Sequence, residues 1–181
     1  MSYNCINVPA LSVAVVEEHI LALMKENNML SMASFNKSLE AESRIATLSG
    51  SRGFILDASK DRLLLSIDDK LVLLKGGKQR VTLKSGKLKN FFLHATRVKS
   101  EVFVQEYGET PTSIFVSENL ENWRRLITNT ELDKYSRHFH YITYDPYRKW
   151  LIATLGDGCL TRVVYSEDLG ETRRPLYKGP W

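Results

Sequence analysis

His138 and His140 stand two residues apart, and Asp157 follows them in the same apolar-rich run, RHFHYITYDPYRKWLIATLGDG. On a β-strand alternate residues project to one face, so the two imidazoles share a face, with His140 expected to be the deeper. Asp157, in the loop after the next strand, could approach that face. Two imidazoles and a carboxylate are a donor set that hydrogen-bonds a polar ligand or holds a divalent ion. Histidines that merely hydrogen-bond neighbouring strands explain the same residues. We therefore take His138, His140 and Asp157 as candidate ligand-binding residues and as the sequence's only metal candidates, and expect neither a resident metal nor any other cofactor.

A second constellation is electrostatic. From Lys75 to Lys99 the chain carries eight Lys or Arg and no Asp or Glu, although the net charge of the whole is only +4. Lys75, Lys78, Arg80, Lys84, Lys87 and Lys89 are the candidate polyanion-binding residues of this strip, acting by counterion release. Lysines on exposed strand edges and turns also blunt edge-to-edge aggregation, and that role accounts for the same pattern. Nucleic acid is not an expected partner. The sequence has no GxGxxG, no phosphate-binding GxxxxGK[ST], no HExxH and no GxSxG, which lowers the case for the commoner cofactor and nucleophile chemistries.

The elements that must position these residues are strands. Arg62–Ile67 (RLLLSI), Leu71–Lys75 (LVLLK), Glu101–Tyr107 (EVFVQEY), Ser113–Ser117 (SIFVS), Lys149–Leu155 (KWLIATL) and Thr161–Ser166 (TRVVYS) are short and rich in β-branched, aromatic or leucine residues. Turn residues bound them. Asp68–Asp69 suits a tight hairpin, and Tyr144-Asp145-Pro146-Tyr147 a turn in which Asp145 bonds its own backbone. Val15–Asn27 also fits a helix, with Val16, Ile20, Leu23 and Met24 on one face; we favour strands there because of the repeat.

That repeat is the strongest signal. At one constant offset Val102–Gln105 falls on Leu151–Thr154, Ile114–Ser117 on Val163–Ser166, and Glu118-Asn119-Leu120 on Glu167-Asp168-Leu169. Ser34-x-Asn36 extends the pattern upstream. Four units are expected, near residues 11–48, 54–84, 91–128 and 139–178, in a single domain. A four-stranded unit of about 40–50 residues is the size of a β-propeller blade. The fold class is therefore all-β: a propeller-like array of about four four-stranded antiparallel blades, with an incomplete ring open to it.

With 181 residues, 43% of them hydrophobic, the chain can bury a core without disulfides. Cys5 and Cys159 have no ribbon or framework spacing, and the N-terminal run lacks a basic region leading into an apolar one. A cytoplasmic protein without a membrane segment is expected.

Ser166-Glu-Asp168-Leu-Gly170-Glu-Thr172 resembles the Asp-box, S-x-D-x-G-x-T-W, of the bacterial neuraminidase (BNR) repeat, with Arg173 where the box has its aromatic. Ser117-Glu-Asn119-Leu-Glu-Asn122-Trp123 resembles its one-shorter variant, with Asn for Asp and Leu for Gly. His138 to Gly158 is similar to the innermost two strands of such blades. The chain thus looks like a partial or degenerate member of the sialidase-like β-propeller family. The resemblance implies that Ser117, Asn119, Trp123, Ser166, Asp168 and Gly170 are structural, in rim turns between third and fourth strands. It does not imply catalysis: a sialidase needs an arginine triad, and no F/Y-R-I-P motif supplies its first member.

The reading favoured by the sequence is a non-catalytic propeller-type binding or interaction module with a glycan or protein partner. A glycosidase-like hydrolase of the sialidase superfamily and a polyanion-binding protein stand as alternatives. An unclosed arc would bare apolar strands such as Leu11–Val16 or Ile142–Tyr144, so a homodimer, or a piece of a longer propeller, is expected.

Overall fold

A computed structural model describes residues 9–180. Cys5 and Trp181 lie outside the described residues. The chain is all-β: among the described residues sixteen strands form four four-stranded antiparallel blades, and in each blade strand order follows chain order. Blade 1 comprises β1 (Ala10–Val16), β2 (His19–Glu26), β3 (Met29–Phe35) and β4 (Ala41–Ser49). Blade 2 comprises β5 (Gly53–Ala58), β6 (Arg62–Ile67), β7 (Lys70–Lys75) and β8 (Lys78–Lys84). Blade 3 comprises β9 (Phe91–Val98), β10 (Glu101–Tyr107), β11 (Ser113–Ser117) and β12 (Arg124–Thr128). Blade 4 comprises β13 (Phe139–Asp145), β14 (Trp150–Leu155), β15 (Thr161–Ser166) and β16 (Arg174–Gly179). The chain divides after Val81 into two compact units. Among the described residues, no helix is long and apolar enough to cross a membrane.

In the first unit the central strands explain the sequence pattern. Along β2, Leu21 to Met24 are all buried, as are Leu63 to Ile67 of β6 and Leu71 to Leu74 of β7. A strand covered on both faces loses its period-2 signature and reads as a continuous apolar run, which is why Val15–Asn27 also matched a helix. Here β1 and β2 pair across Glu17, which adopts a left-handed φ of 53°. Leu23, Leu30, Met32 and Leu65, none of them exposed, form one core with Leu48, Leu63 and Ile67. Burying each of the fully covered side chains contributes about 1.5–3 kcal/mol. β1 lies beside β5, where Ser12 Oγ accepts the Ile55 N–H at 3.0 Å. Asp68 opens the two-residue hairpin between β6 and β7, and its carboxylate accepts the Ser51 and Arg52 N–H groups at 3.1 Å. The outward face of β1 exposes Leu11, Val13 and Val15.

In the second unit the core joins Val98, Phe103, Ile114, Val116 and Ile127 of blade 3 to Phe139, Ile142, Leu151, Ala153 and Leu155 of blade 4. Ile142 is therefore core rather than the bared residue expected, because β13 packs beside β9 and β10. A single-turn helix, α1 (Asn129–Leu132), links the two blades. Thr128 caps it, accepting the Glu131 N–H while the Glu131 carboxylate accepts the Thr128 N–H, a reciprocal capping box. Asn129, fully buried, accepts from Thr112 N–H and donates to the Ser136 carbonyl. Gln105 Nε2 donates to the Phe139 carbonyl at 2.8 Å, anchoring the start of β13 to β10.

Candidate functional site

Phe139, the first residue of β13, is fully buried in the core, so alternation turns His138 and His140 to the other side. The strand entry is pinned by three bonds: Phe139 N–H to Thr112 Oγ1 (3.2 Å), Gly156 N–H to the His138 carbonyl (3.0 Å), and the Gln105 bond above. Asp157 follows Gly156 at the start of a 3-10 turn, Gly158–Leu160, with extended backbone and no capping bond from its side chain. Its Oδ1 lies 2.9 Å from His140 Nε2 and 3.4 Å from His138 Nε2, and its Oδ2 lies 3.6 Å from Arg137 Nη1. The histidines and the aspartate named from sequence are thus together, one ligand atom from each lying within 4.8 Å of the others. Among the described residues this is the one group of three or more imidazole, thiol or carboxylate donors that close.

Blade 3 supplies what the sequence reading missed. The Gly108 carbonyl accepts from His138 Nδ1 at 3.1 Å, and the Tyr107 ring lies 4.3 Å from the His138 ring and 5.8 Å from that of His140. This cover reverses the expected depth: His138 is 7% exposed, whereas His140 is half-buried. The signal was present, since the offset that superposes the repeats carries Asp157 onto Gly108.

The carbonyl of Gly108 can only accept, so the His138 proton sits on Nδ1 and Nε2 carries a bare lone pair. Burial holds the His138 pKa below its ordinary value, against an opposing pull from Asp157. The ring is therefore neutral at pH 7, and its 3.4 Å approach to Asp157 is not an ion pair. His138 Nε2 is left buried with no hydrogen-bond partner. Orphaned buried acceptors cost free energy and in native proteins are rare.

No protein-family model matches the chain, and no curated protein does. Function has to be argued from these side chains.

The serine turns, with Asn119 in blade 3 and Asp168 in blade 4, lie between the third and fourth strands of those blades. Ser166 Oγ donates to Asp168 at 2.7 Å and accepts the Gly170 N–H at 2.7 Å; Asp168 also takes the Thr172 N–H (2.8 Å) and hydroxyl (2.6 Å). Gly170 has φ +100°, which a side chain rarely adopts. In blade 3 Leu120 N–H bonds Ser117 Oγ (2.9 Å) and the Glu121 and Asn122 N–H groups bond Asn119 Oδ1 (2.9 Å each), with Trp123 half-buried behind. Asn36 holds the corresponding turn of blade 1 through the Ser38 and Glu40 N–H groups at 2.9 and 3.0 Å. All three are local devices that close a hairpin.

The bonds from Thr172 and Ser166 hold the Asp168 carboxyl well below the usual carboxylate range. A depressed native pKa stabilises the fold above the unfolded value, near 3.8, and that contribution is lost as pH falls further into acid. Asp168→Ala is expected to lower the melting temperature by a few degrees at pH 7. The gap to the unmodified chain should narrow below about pH 4. Thermal scans at pH 7 and pH 3 check both; an equal gap at the two values contradicts the assignment.

The basic residues fall on both sides of the division between units. Lys75 ends β7, and Lys78, Arg80 and Lys84 alternate along β8, the edge strand of its blade. Lys87 Nζ donates to the backbone carbonyls of Glu109 and Thr110, and Lys89 pairs with Glu109 at 3.2 Å.

A broad groove of about 870 Å³ lies in the first unit, over Leu21, Leu63 and Leu74 and lined on one side by Lys75. Several of its polar groups pair locally, Glu42 accepting from His19 Nδ1 at 2.7 Å and from Ser34 at 2.9 Å and Ser59 bonding Asp61 at 2.9 Å, while the buried Arg62 Nε of its lining lacks a hydrogen-bond partner. We place the site at the histidines because there an unfilled buried acceptor converges with a half-exposed imidazole and carboxylate.

Proposed function

We propose that this chain is a non-catalytic binding module of the Asp-box, sialidase-like type, taking an oxygen-rich ligand such as a glycan at His138, His140 and Asp157. One observation carries the reading: the buried Nε2 of His138 has no partner, and it faces a half-exposed imidazole and carboxylate that an incoming ligand can reach. Tyr107 offers an aromatic wall beside them. The serine turns act as scaffold in this reading, because their polar groups are consumed within the turn.

The test combines a glycan array with a panel of methylumbelliferyl glycosides, a sialoside included. Binding to a subset of glycans is expected, weakened at least tenfold by His140→Ala, with no glycoside turnover. Turnover abolished by Asp157→Asn would make the chain a hydrolase. Binding that survives His140→Ala but is lost in Lys78→Gln/Lys84→Gln would move the site to the basic strip. Absence of glycan binding overturns the reading.

A further inference from the structure

We propose that His138, His140 and Asp157 form a binding site for one divalent transition ion of the zinc type, held by Nε2 of each imidazole and Oδ1 of Asp157. This rests on the reading above and deepens it, since the ion would be the group that grips an oxygen-bearing ligand.

The argument starts from the orphan. With the His138 proton committed to the Gly108 carbonyl, a bare nitrogen lone pair faces a carboxylate oxygen at 3.4 Å. Acceptor against acceptor is unfavourable in a buried place, and a cation between them turns both lone pairs into ligand bonds. The Nδ1–H to carbonyl bond is the outer contact that zinc-binding histidines commonly make, fixing tautomer and ring orientation before the metal arrives.

Spacing agrees. Bonds of about 2.1 Å put neighbouring ligand atoms about 3.4 Å apart in a tetrahedral site and about 3.0 Å apart at right angles. The measured separations from Asp157 Oδ1 are 3.4 Å to His138 and 2.9 Å to His140. One ligand atom from each of the three residues lies within 4.8 Å of the others, a spread that a small adjustment would draw onto one ion. His140 now donates its Nε2 proton to Asp157; it becomes a ligand by carrying that proton on Nδ1 instead.

Donor chemistry selects the ion. Two imidazoles and one carboxylate suit zinc and its neighbours, whereas calcium and magnesium require oxygen ligands throughout. Three protein ligands leave at least one position open for a water or a ligand oxygen. Arg137 lies 3.6 Å from the other carboxylate oxygen, Asp157 Oδ2, on the side away from the imidazoles' contact with Oδ1.

The experiment titrates zinc chloride into chelator-stripped full-length protein by calorimetry, with thermal scans alongside. One ion per chain and a higher melting temperature are expected. His140→Ala and Asp157→Asn alter half-exposed side chains, and each should weaken zinc binding at least tenfold while circular dichroism stays unchanged. Cys159→Ser should bind as the unmodified chain does, because this exposed thiol is outside the ligand group. X-ray absorption at the zinc edge should show nitrogen and oxygen neighbours at about 2.0–2.1 Å and no sulfur. Failure to bind zinc, or binding that both His140→Ala and Asp157→Asn leave intact, overturns the proposal. The two readings fail separately: glycan binding that persists in chelator without zinc uptake removes the ion alone, and zinc uptake without glycan binding removes the glycan alone.

Discussion

Alanine at position 156 is expected to cost the second unit about 3–5 kcal/mol and to scatter the His138–His140–Asp157 group. Gly156 has φ +81°, in the left-handed region, where an L-residue already pays about 1–2 kcal/mol. The larger cost is steric. A Cβ there would lie 2.1 Å from the Leu160 carbonyl oxygen and 2.9 Å from its carbon. These are backbone atoms of a closed turn, held by Leu160 N–H to the Asp157 carbonyl at 3.0 Å and by Thr161 Oγ1 to the Gly158 carbonyl at 2.8 Å. The turn cannot yield without moving Asp157, the residue next in sequence. Gly158 is the control: it too has positive φ, +53°, but nothing lies within 4 Å of its Cβ position. Gly158→Ala should cost only about 1 kcal/mol. Trp123 and Trp150 fall in the second unit, and the first has no tryptophan among the described residues, so urea denaturation followed by tryptophan fluorescence reads the second unit. Equal losses in the two variants would show that the turn is softer than its contacts imply.

Asn129→Ala should be comparably damaging, at about 3–5 kcal/mol, for an electrostatic reason. The carboxamide is fully buried and serves three partners: it accepts from Thr112 N–H at 2.7 Å, and donates to the Ser136 carbonyl at 2.6 Å and to Thr110 Oγ1 at 3.0 Å. Alanine leaves a buried N–H and a buried carbonyl without partners, each costing about 1–3 kcal/mol. Damage should spread to the site, because Thr112 Oγ1 accepts the Phe139 N–H that positions the two histidines. The same fluorescence-detected denaturation measures it. A loss under about 1 kcal/mol would mean that water replaces the amide.

Local chemistry was readable along the chain. The Asp145 turn, where Asp145 Oδ1 accepts Tyr147 N–H at 2.9 Å, and the Ser166–Asp168 closure each involve residues a few positions apart. Their bonds form in the turn itself and need no distant partner. The constant offset between the third and fourth repeats exposed the blade, because each repeat must solve the same packing problem. The capping box Thr128–Glu131 was equally local and went unread among the strand signals.

By itself, then, the sequence determined that the chain is strands joined by polar turns in four repeated blades, and that His138 and His140 share a strand face near Asp157. Tertiary structure alone decided how deep each side chain lies and what each polar atom meets. His138 is the buried histidine because Tyr107 and Gly108, from the preceding blade, cover it. Ile142 is core because β9 and β10 pack against its strand, and Val15–Asn27 is extended because both faces of β2 are covered. Burial depends on residues far away in the chain, and so does the unpartnered nitrogen: periodicity says which way a side chain points, and only the packed fold says what is waiting there.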